Sequence, residues 1–314
     1  MNIESGATPM SGEPPAVSPP TPSLSHPTRP LYWSVRRELW ENRSIVIVPL
    51  IAAAVVLFGF LIGAAHVADR MDAIAKLDRV MRSAVLVERY GVATMPIVFA
   101  MVLVGVFYCL DALHGERRDR SILFWKSLPL SDRTAVLAKA GIPLVVLPAF
   151  TFAVILVTQL IIVLLGTAIL LAKGSGAATL WANLPLLQMS VAMLYGLVVM
   201  TLWHAPIYGW LLLVSGWAKR NVFLWAVLPP LALSIVEKIA FGTTHLASLL
   251  KYRMTGWLDA AFDFASPGRD ATAGPLAELT PLDFLSTPGL WIGLVVAAAL
   301  LIAAIRMRRS QDPI

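Results

Sequence analysis

Long apolar runs constrain this chain more than any other feature. Six mostly apolar segments are separated by more polar connectors: 44–65, 92–112, 141–172, 185–216, 222–243 and 289–307. A helix needs about 20 apolar residues to cross a bilayer. A soluble fold of 314 residues with 58% hydrophobic residues and a mean hydropathy of +0.74 cannot cover so much apolar surface. The sequence therefore predicts an all-α polytopic membrane protein with six transmembrane helices.

The fourth run is interrupted at Pro206, which removes a helix hydrogen bond and predicts a kink. Splitting the run there leaves 206–218, which is too short to cross a membrane, so we expect one kinked span. His204 beside the kink has two interpretations. The first is that it lines a pathway, as ionisable groups inside membranes commonly do. The second, which we favour, is a hydrogen bond to backbone groups that Pro206 leaves without a partner, because such groups at a kink usually find new partners nearby.

The segment before the first run divides into two parts. Residues 1–30 are rich in Pro and Ser, which predicts a disordered tail. Residues 31–43 predict an interfacial helix that lies along the membrane, ahead of a six-span transmembrane domain over 44–309. One side of that helix carries Leu31, Tyr32, Trp33, Val35, Leu39 and Trp40, and the other carries Ser34, Arg37, Glu38 and Glu41.

Clusters of Lys and Arg predict the orientation. They occur at 29–43, 113–140, 219–220 and 306–309. Placing all of them in the cytosol puts both termini inside a plasma membrane, which for a bacterial chain is the inner membrane. The first span would then be an uncleaved anchor.

The connectors 66–90 and 244–288 fall outside in this topology. The first predicts one helix, because acidic and basic residues recur at helical spacing and its apolar residues share one face: Val67, Met71, Ile74, Leu77 and Met81. The second predicts an interfacial helix or a short helical hairpin.

Motifs for chemistry are missing from the sequence. It has no Gly-x-x-x-x-Gly-Lys-Ser/Thr loop for nucleotides and no His-Glu-x-x-His for zinc. Its single cysteine, Cys109, excludes an intramolecular disulfide and a cysteine metal cluster. No basic stripe interleaved with aromatic residues points to nucleic acid. We therefore expect no catalytic residues, no metal site and no cofactor bound by this chain, and a membrane-lipid environment.

The connector over 111–139 carries most of the functional information. It contains Glu116-Arg117-Arg118-Asp119-Arg120-Ser121, then Leu128-Pro129-Leu130-Ser131, and Lys139 at the start of the third run. In this pattern the chain resembles the permease subunits of the type-two exporter family of ABC transporters. That family usually has Gly-Thr where this chain has Arg120-Ser121.

The resemblance implies a transmembrane subunit of an ATP-driven exporter. It implies a second permease copy or close paralogue, a separate ATP-binding cassette ATPase that supplies ATP and Mg, and a cytosolic coupling helix between spans two and three. By the same resemblance, the interfacial helix and span one are candidate dimer contacts. Carried over residue by residue, Glu116, Arg117, Arg118 and Asp119 would sit at or beside the ATPase contact, and Leu128 and Pro129 would shape the coupling turn.

Two other functions remain open. An intramembrane enzyme would need His, Asp, Glu or Ser side chains that converge at one membrane depth. A membrane anchor or sensor would recruit cytosolic partners and transport nothing. An ATPase subunit that co-purifies with the chain would separate the exporter from both.

Overall fold

The structure is a computed structural model that describes residues 30–119, 131–174, 177–263 and 274–310. Within these ranges the chain forms fourteen α-helices and no β-strand. They are α1 (Pro30–Glu41), α2 (Ser44–Ile62), α3 (Val67–Ala75), α4 (Arg79–Val92), α5 (Met95–Ala112), α6 (His114–Arg118), α7 (Asp132–Gly141), α8 (Leu147–Ala172), α9 (Ala178–Asn183), α10 (Leu186–Trp217), α11 (Val222–Phe241), α12 (His245–Ala261), α13 (Pro281–Ser286) and α14 (Pro288–Ser310).

Six helical segments are long and apolar enough to cross a membrane. They are Ser44–Ala75, Arg79–Arg118, Asp132–Ala172, Leu186–Trp217, Val222–Phe241 and Pro288–Ser310. Each overlaps one of the predicted apolar runs, so the predicted all-α polytopic fold is confirmed. The predicted disordered tail, apart from Pro30, lies outside the described residues.

The centre of the bundle is α10, which packs most extensively on α14 and also on α5. Gly209 brings α10 close to α14, because a Cβ atom there would lie 3.3 Å from Leu300 Cβ and 3.4 Å from the Ala297 carbonyl oxygen. Gly105 of α5 lies against the ring of Tyr208 in the same way. Small residues at such crossings allow membrane helices to pack by van der Waals contact.

Helix α10 continues through Pro206 without a break, which agrees with the prediction of a single span. His204 Nδ1 lies 2.6 Å from the Met200 carbonyl oxygen. The imidazole therefore bonds backbone, but not the backbone group that we favoured. The acceptor is not the Leu202 carbonyl, which is the group that Pro206 leaves without its usual donor.

The third spanning segment joins α7 to α8 through a π-helical turn at Ile142–Val146. Its 41 residues extend over about 60 Å, against a hydrocarbon core of about 30 Å. The segment therefore reaches well beyond the core at its start, where α7 carries charged side chains. Ser131 begins α7 by accepting a hydrogen bond from the Thr134 amide.

The prediction of one helix over 66–90 is wrong, because the chain forms α3 and α4 there. Asp78 accepts a hydrogen bond from the Met81 amide at 3.3 Å and starts a new helix. Arg82 donates to the carbonyl oxygens of Ala75 and Leu77 at 2.8 and 2.9 Å, which closes the preceding helix end. These local capping bonds end one helix and begin the next, which the charge spacing does not predict.

The break also divides the predicted apolar face of this connector. Met71 and Ile74 are buried and pack near Leu86. Leu77 and Met81 are exposed instead, because they lie at the break and at the start of the second helix. Only the α3 part of the predicted face therefore contacts the bundle.

The predicted helix after span five is present as α12, which packs on α10. The Arg253 guanidinium lies 5.0 Å from the centroid of the Trp203 ring and donates to the Gly289 carbonyl oxygen at 3.0 Å. Trp203 is fully buried and donates to the Tyr252 carbonyl oxygen at 3.3 Å. These contacts hold α12 against the middle of α10 and the start of α14.

Candidate functional site

Charged side chains from four helices, and one tyrosine hydroxyl from α5, converge where α1, α6, α7 and the C-terminal end of α14 meet. We call this end of the bundle the near edge and the opposite end the far edge. The group is named the basal network and consists of Arg37 and Glu38 (α1), Tyr108 (α5), Glu116 (α6), Asp132 and Lys139 (α7) and Arg308 (α14). Glu38, Glu116, Lys139 and Arg308 are all less than 9% exposed.

Glu116 lies at the centre of the basal network. Its Oε1 atom is 3.3 Å from Lys139 Nζ and 3.4 Å from Arg37 Nη2, and its Oε2 atom accepts from Arg308 Nη2 at 3.0 Å. One carboxylate thus contacts cations from three different helices. The charges of the two buried acids, Glu38 and Glu116, balance those of the two buried bases, Lys139 and Arg308. Buried charges in a low-dielectric site require such pairing.

Glu38 connects the interfacial helix to the same group. It accepts from Lys139 Nζ at 2.8 Å and from the Tyr108 hydroxyl at 2.8 Å. The polar side of α1 therefore faces the protein. On the other side, Trp33 and Trp40 are exposed and Arg36 stacks on both rings, with its guanidinium 5.3 and 4.8 Å from their centroids. This orientation suits a helix whose aromatic side meets lipid.

Arg37 has a second acidic partner, Glu41, one turn away at 2.7 Å. Burial lowers the pKa of Arg37, but the hydrogen bond to Glu41 and the attraction of Glu41, Glu38 and Glu116 raise it further, so the pKa lies above its usual value. The guanidinium is thus a permanent cation at the rim of the network.

Arg308 joins the end of the chain to the beginning of the third span. Its Nη1 atom donates to Asp132 Oδ1 at 2.7 Å, and its Nη2 atom donates to Glu116. Within the 111–139 connector, Glu116 lies just before residues 119–131, and Asp132 lies just after them. A single arginine of α14 therefore holds both ends of the connector.

Arg117 is buried and fixes the connector to α10. It donates to the Gly216 carbonyl oxygen at 2.6 Å, and Ser215 Oγ accepts from the amides of Leu113 and His114 at 3.0 Å each. A cation at the end of α10 satisfies carbonyl groups that have no partner within the helix. The start of the connector therefore cannot move without α10.

The predicted contact residues fall into two groups. Glu116 and Arg117 are buried within the chain, where their side chains bond other helices. Arg118 and Asp119 are exposed and pair with each other at 3.1 Å. Of the four residues that the resemblance assigned, only these two present charge at the surface. Leu128 and Pro129 lie outside the described residues.

The other predicted residues lie elsewhere. His204 and Pro206 are in the middle of α10, beside Trp203, and do not join the basal network. The charges inside the network leave a cavity of about 20 Å³ between Glu38, Glu116 and Lys139, which has room for about one water molecule. Across the described ranges, no group of three or more His, Cys, Asp or Glu side chains is placed to hold a metal ion.

Sequence reasoning missed several members of the network as site residues: Glu38, Tyr108, Asp132 and Arg308, with Lys139 noted only as opening the third span. The available signal was spacing. Asp132 and Lys139 are seven residues apart, and so share one face of α7. Their partners come from remote helices, and no sequence pattern reports that pairing.

These observations define an all-helical, multi-pass membrane protein whose N-terminal helix, connector and last helix are joined by buried charge. Comparisons with family models, with curated proteins and with solved structures found no match for the chain.

Proposed function

We propose that this chain is the transmembrane permease subunit of an ATP-driven ABC exporter and binds a separate cytosolic ATPase. The observation that carries the proposal is the basal network, which attaches both ends of the connector to α1 and α14. Together with the resemblance of the connector sequence, it supports a role in transmitting movement from a partner into the bundle.

The arrangement suits transmission because the connector has rigid supports. Arg117 bonds the end of α10, and Arg308 bonds Glu116 and Asp132 on either side of 119–131. A push on the connector therefore reaches α10, α7 and α14 together. Helices held by several buried charge-assisted bonds move as one body.

Arg118 and Asp119 are the best candidates for contact with the ATPase. Both are more than half exposed at the near edge, next to the buried anchor formed by Glu116 and Arg117. Opposite charges at a rim fix the register of a partner. ATP and Mg would be held by the partner, and this chain would supply the pathway and no catalytic group.

A second permease copy is supported by the exposure of α11. Only Val222 and Ala226, both near its start, are buried. The remaining length presents large apolar side chains on several sides, including Leu228, Leu231, Ile235, Val236 and Ile239. A second chain packed there would cover apolar side chains that its own bundle leaves exposed.

The ATPase contact is tested by reversing the exposed charges. The tagged chain is purified from its native membranes, and Mg-ATP hydrolysis that co-purifies is measured. Arg118→Glu combined with Asp119→Lys should lose most of this activity while the amount of inserted chain stays normal. The far-edge pair Asp72→Lys with Lys76→Glu makes the same charge changes and should retain the activity. No co-purifying hydrolysis, or full hydrolysis in the Arg118/Asp119 variant, would contradict the proposal.

The second copy is tested separately in a Cys109→Ala background. Leu231→Cys should form a cross-linked dimer in membranes, and Val157→Cys, equally exposed on α8, should not. Mass measurement in nanodiscs should give two chains. A single chain that gives no cross-link at Leu231 would exclude this dimer.

A further inference from the structure

A cavity of about 240 Å³ lies at the far edge, between α2, α3, α4 and α8. Its interior is apolar and includes Val56 and Phe60 of α2, Ile74 of α3, Leu86 of α4 and Ile162 of α8. Ligand sites for small molecules usually start at roughly 300 Å³. This cavity therefore fits part of an elongated molecule better than a whole compact one.

The polar lining of the cavity is cationic. Arg70 and Arg89 contribute guanidinium groups, and Tyr90 contributes a hydroxyl, whereas no acidic residue lines the cavity. Both arginines are exposed. Neither has an ion pair or a side-chain hydrogen bond within the described part of the chain. Two arginines from different helices, free to bond, favour a phosphate group, which guanidinium binds in a bidentate manner.

The position of the cavity indicates where the ligand comes from. Gly59 and Gly63 line it at the end of α2, and the neighbouring Leu61 and Ile62 are 51% and 68% exposed on the outside of a spanning helix. Acyl chains surround such side chains in a bilayer. The end of the apolar run is also the depth at which lipid headgroups lie and arginine side chains are favoured.

We propose that this cavity binds an anionic phospholipid of the surrounding leaflet. The headgroup phosphate contacts Arg70 and Arg89, and the upper part of one acyl chain enters the apolar space between α2 and α4. Bound in this way, the lipid connects α2 to the α3–α4 connector. The inference does not depend on the proposed exporter function, because it rests on far-edge residues alone.

The proposal is tested by native mass spectrometry of the detergent-purified chain titrated with phosphatidylglycerol, phosphatidylcholine or inorganic phosphate. The wild type should hold one phosphatidylglycerol more tightly than the other probes. Arg70→Gln with Arg89→Gln should weaken that binding about 30-fold, since each basic residue near a headgroup contributes roughly a fivefold gain. Arg79→Gln removes the same charge from an exposed site of α4 outside the cavity and should change little.

A second variant fills the apolar part. Gly59 lines the cavity, and a Cβ atom there would meet nothing within 4 Å, so Gly59→Leu places a larger apolar side chain at the cavity. It should lose phosphatidylglycerol binding while the two arginines remain. Equal binding of phosphatidylcholine and phosphatidylglycerol would overturn the proposal. Displacement of the lipid by millimolar phosphate would assign the site to a soluble anion and also overturn it, as would unchanged binding in both variants.

Discussion

Glu116 shows how much a single side chain contributes at the near edge. It contacts Lys139, Arg308 and Arg37, which come from α7, α14 and α1. Without the charge of Glu116, these three cations would retain Glu38, Glu41 and Asp132 as acidic partners. The residue that the resemblance assigned to a partner contact is thus a buried structural group.

Replacing Glu116 by Gln keeps the size of the side chain and removes its charge. Breaking a buried ion pair by neutralising one partner typically costs about 3–5 kcal/mol, so we expect a decrease of that order in the free energy of unfolding. Unfolding by SDS in mixed micelles measures it. Arg118→Gln, at an exposed pair two residues away, should leave the transition nearly unchanged, as exposed pairs contribute little. Equal stability of both variants would contradict a buried network.

At the residue scale, the sequence identified the charged start of the connector but not the direction of its side chains. Glu116 and Arg117 look as polar as Arg118 and Asp119 in the sequence. Burial separates them, and it depends on partners far along the chain: Arg308, 192 residues after Glu116, and Gly216, 99 residues after Arg117. A local pattern carries no information on such a partner.

At the scale of elements, α1 is attached to the bundle mainly by charge. Glu38 bonds Lys139 and Tyr108, while Val35 and Leu39 pack on the core only partly. Lys139→Met should therefore release α1 and leave the spanning helices folded. Hydrogen exchange of residues 30–41 should accelerate by about a hundredfold, from roughly 3 kcal/mol of lost stabilisation.

The matched control for this prediction is Arg133→Met. Arg133 lies on the same helix and carries the same charge, but it is exposed. Its replacement should leave exchange in α1 unchanged. If both variants exchange alike, the interfacial helix is held by its apolar contacts and not by Lys139.

The contact of α10 with α14 is the second element to test. A Cβ atom at Gly209 already lies within 3.4 Å of the Ala297 backbone, so Gly209→Val forces the helices apart. Overpacking of this kind costs about 1–3 kcal/mol. Thermal denaturation in detergent should show a lower Tm for this variant. Gly91→Val, where a Cβ meets nothing within 4 Å, should show a much smaller change.

The predicted spans were confirmed because long apolar runs determine them. The prediction of one helix over 66–90 was wrong because a capping bond interrupts that helix. Six spans follow from runs that only a membrane can accommodate. The break between α3 and α4 follows from one hydrogen bond of Asp78 to the Met81 amide, which competes with a helix that the charge spacing also favours. The sequence contains both the capping residue and the charge spacing, and nothing in it shows which of the two prevails.

At the scale of the whole molecule, the helix order places α1, the connector and the end of α14 at one edge. The positive-inside rule predicts that this near edge is cytosolic. In a Cys109→Ala background, Lys76→Cys should react with an impermeant maleimide in intact cells, and Lys219→Cys only after permeabilisation. Both side chains are exposed, so access alone decides the result. Labelling of Lys219→Cys in intact cells would reverse the orientation.

Arg308 also determines when the near edge can be completed during synthesis. The ribosome makes α1, the connector and α7 long before the last helix, and an early chain holds Glu116 and Asp132 without their arginine. The final turns of α14 therefore close the base of the bundle. A chain that stops before residue 308 keeps all its apolar runs and yet lacks this closure, so insertion of the last span does not by itself complete the near edge.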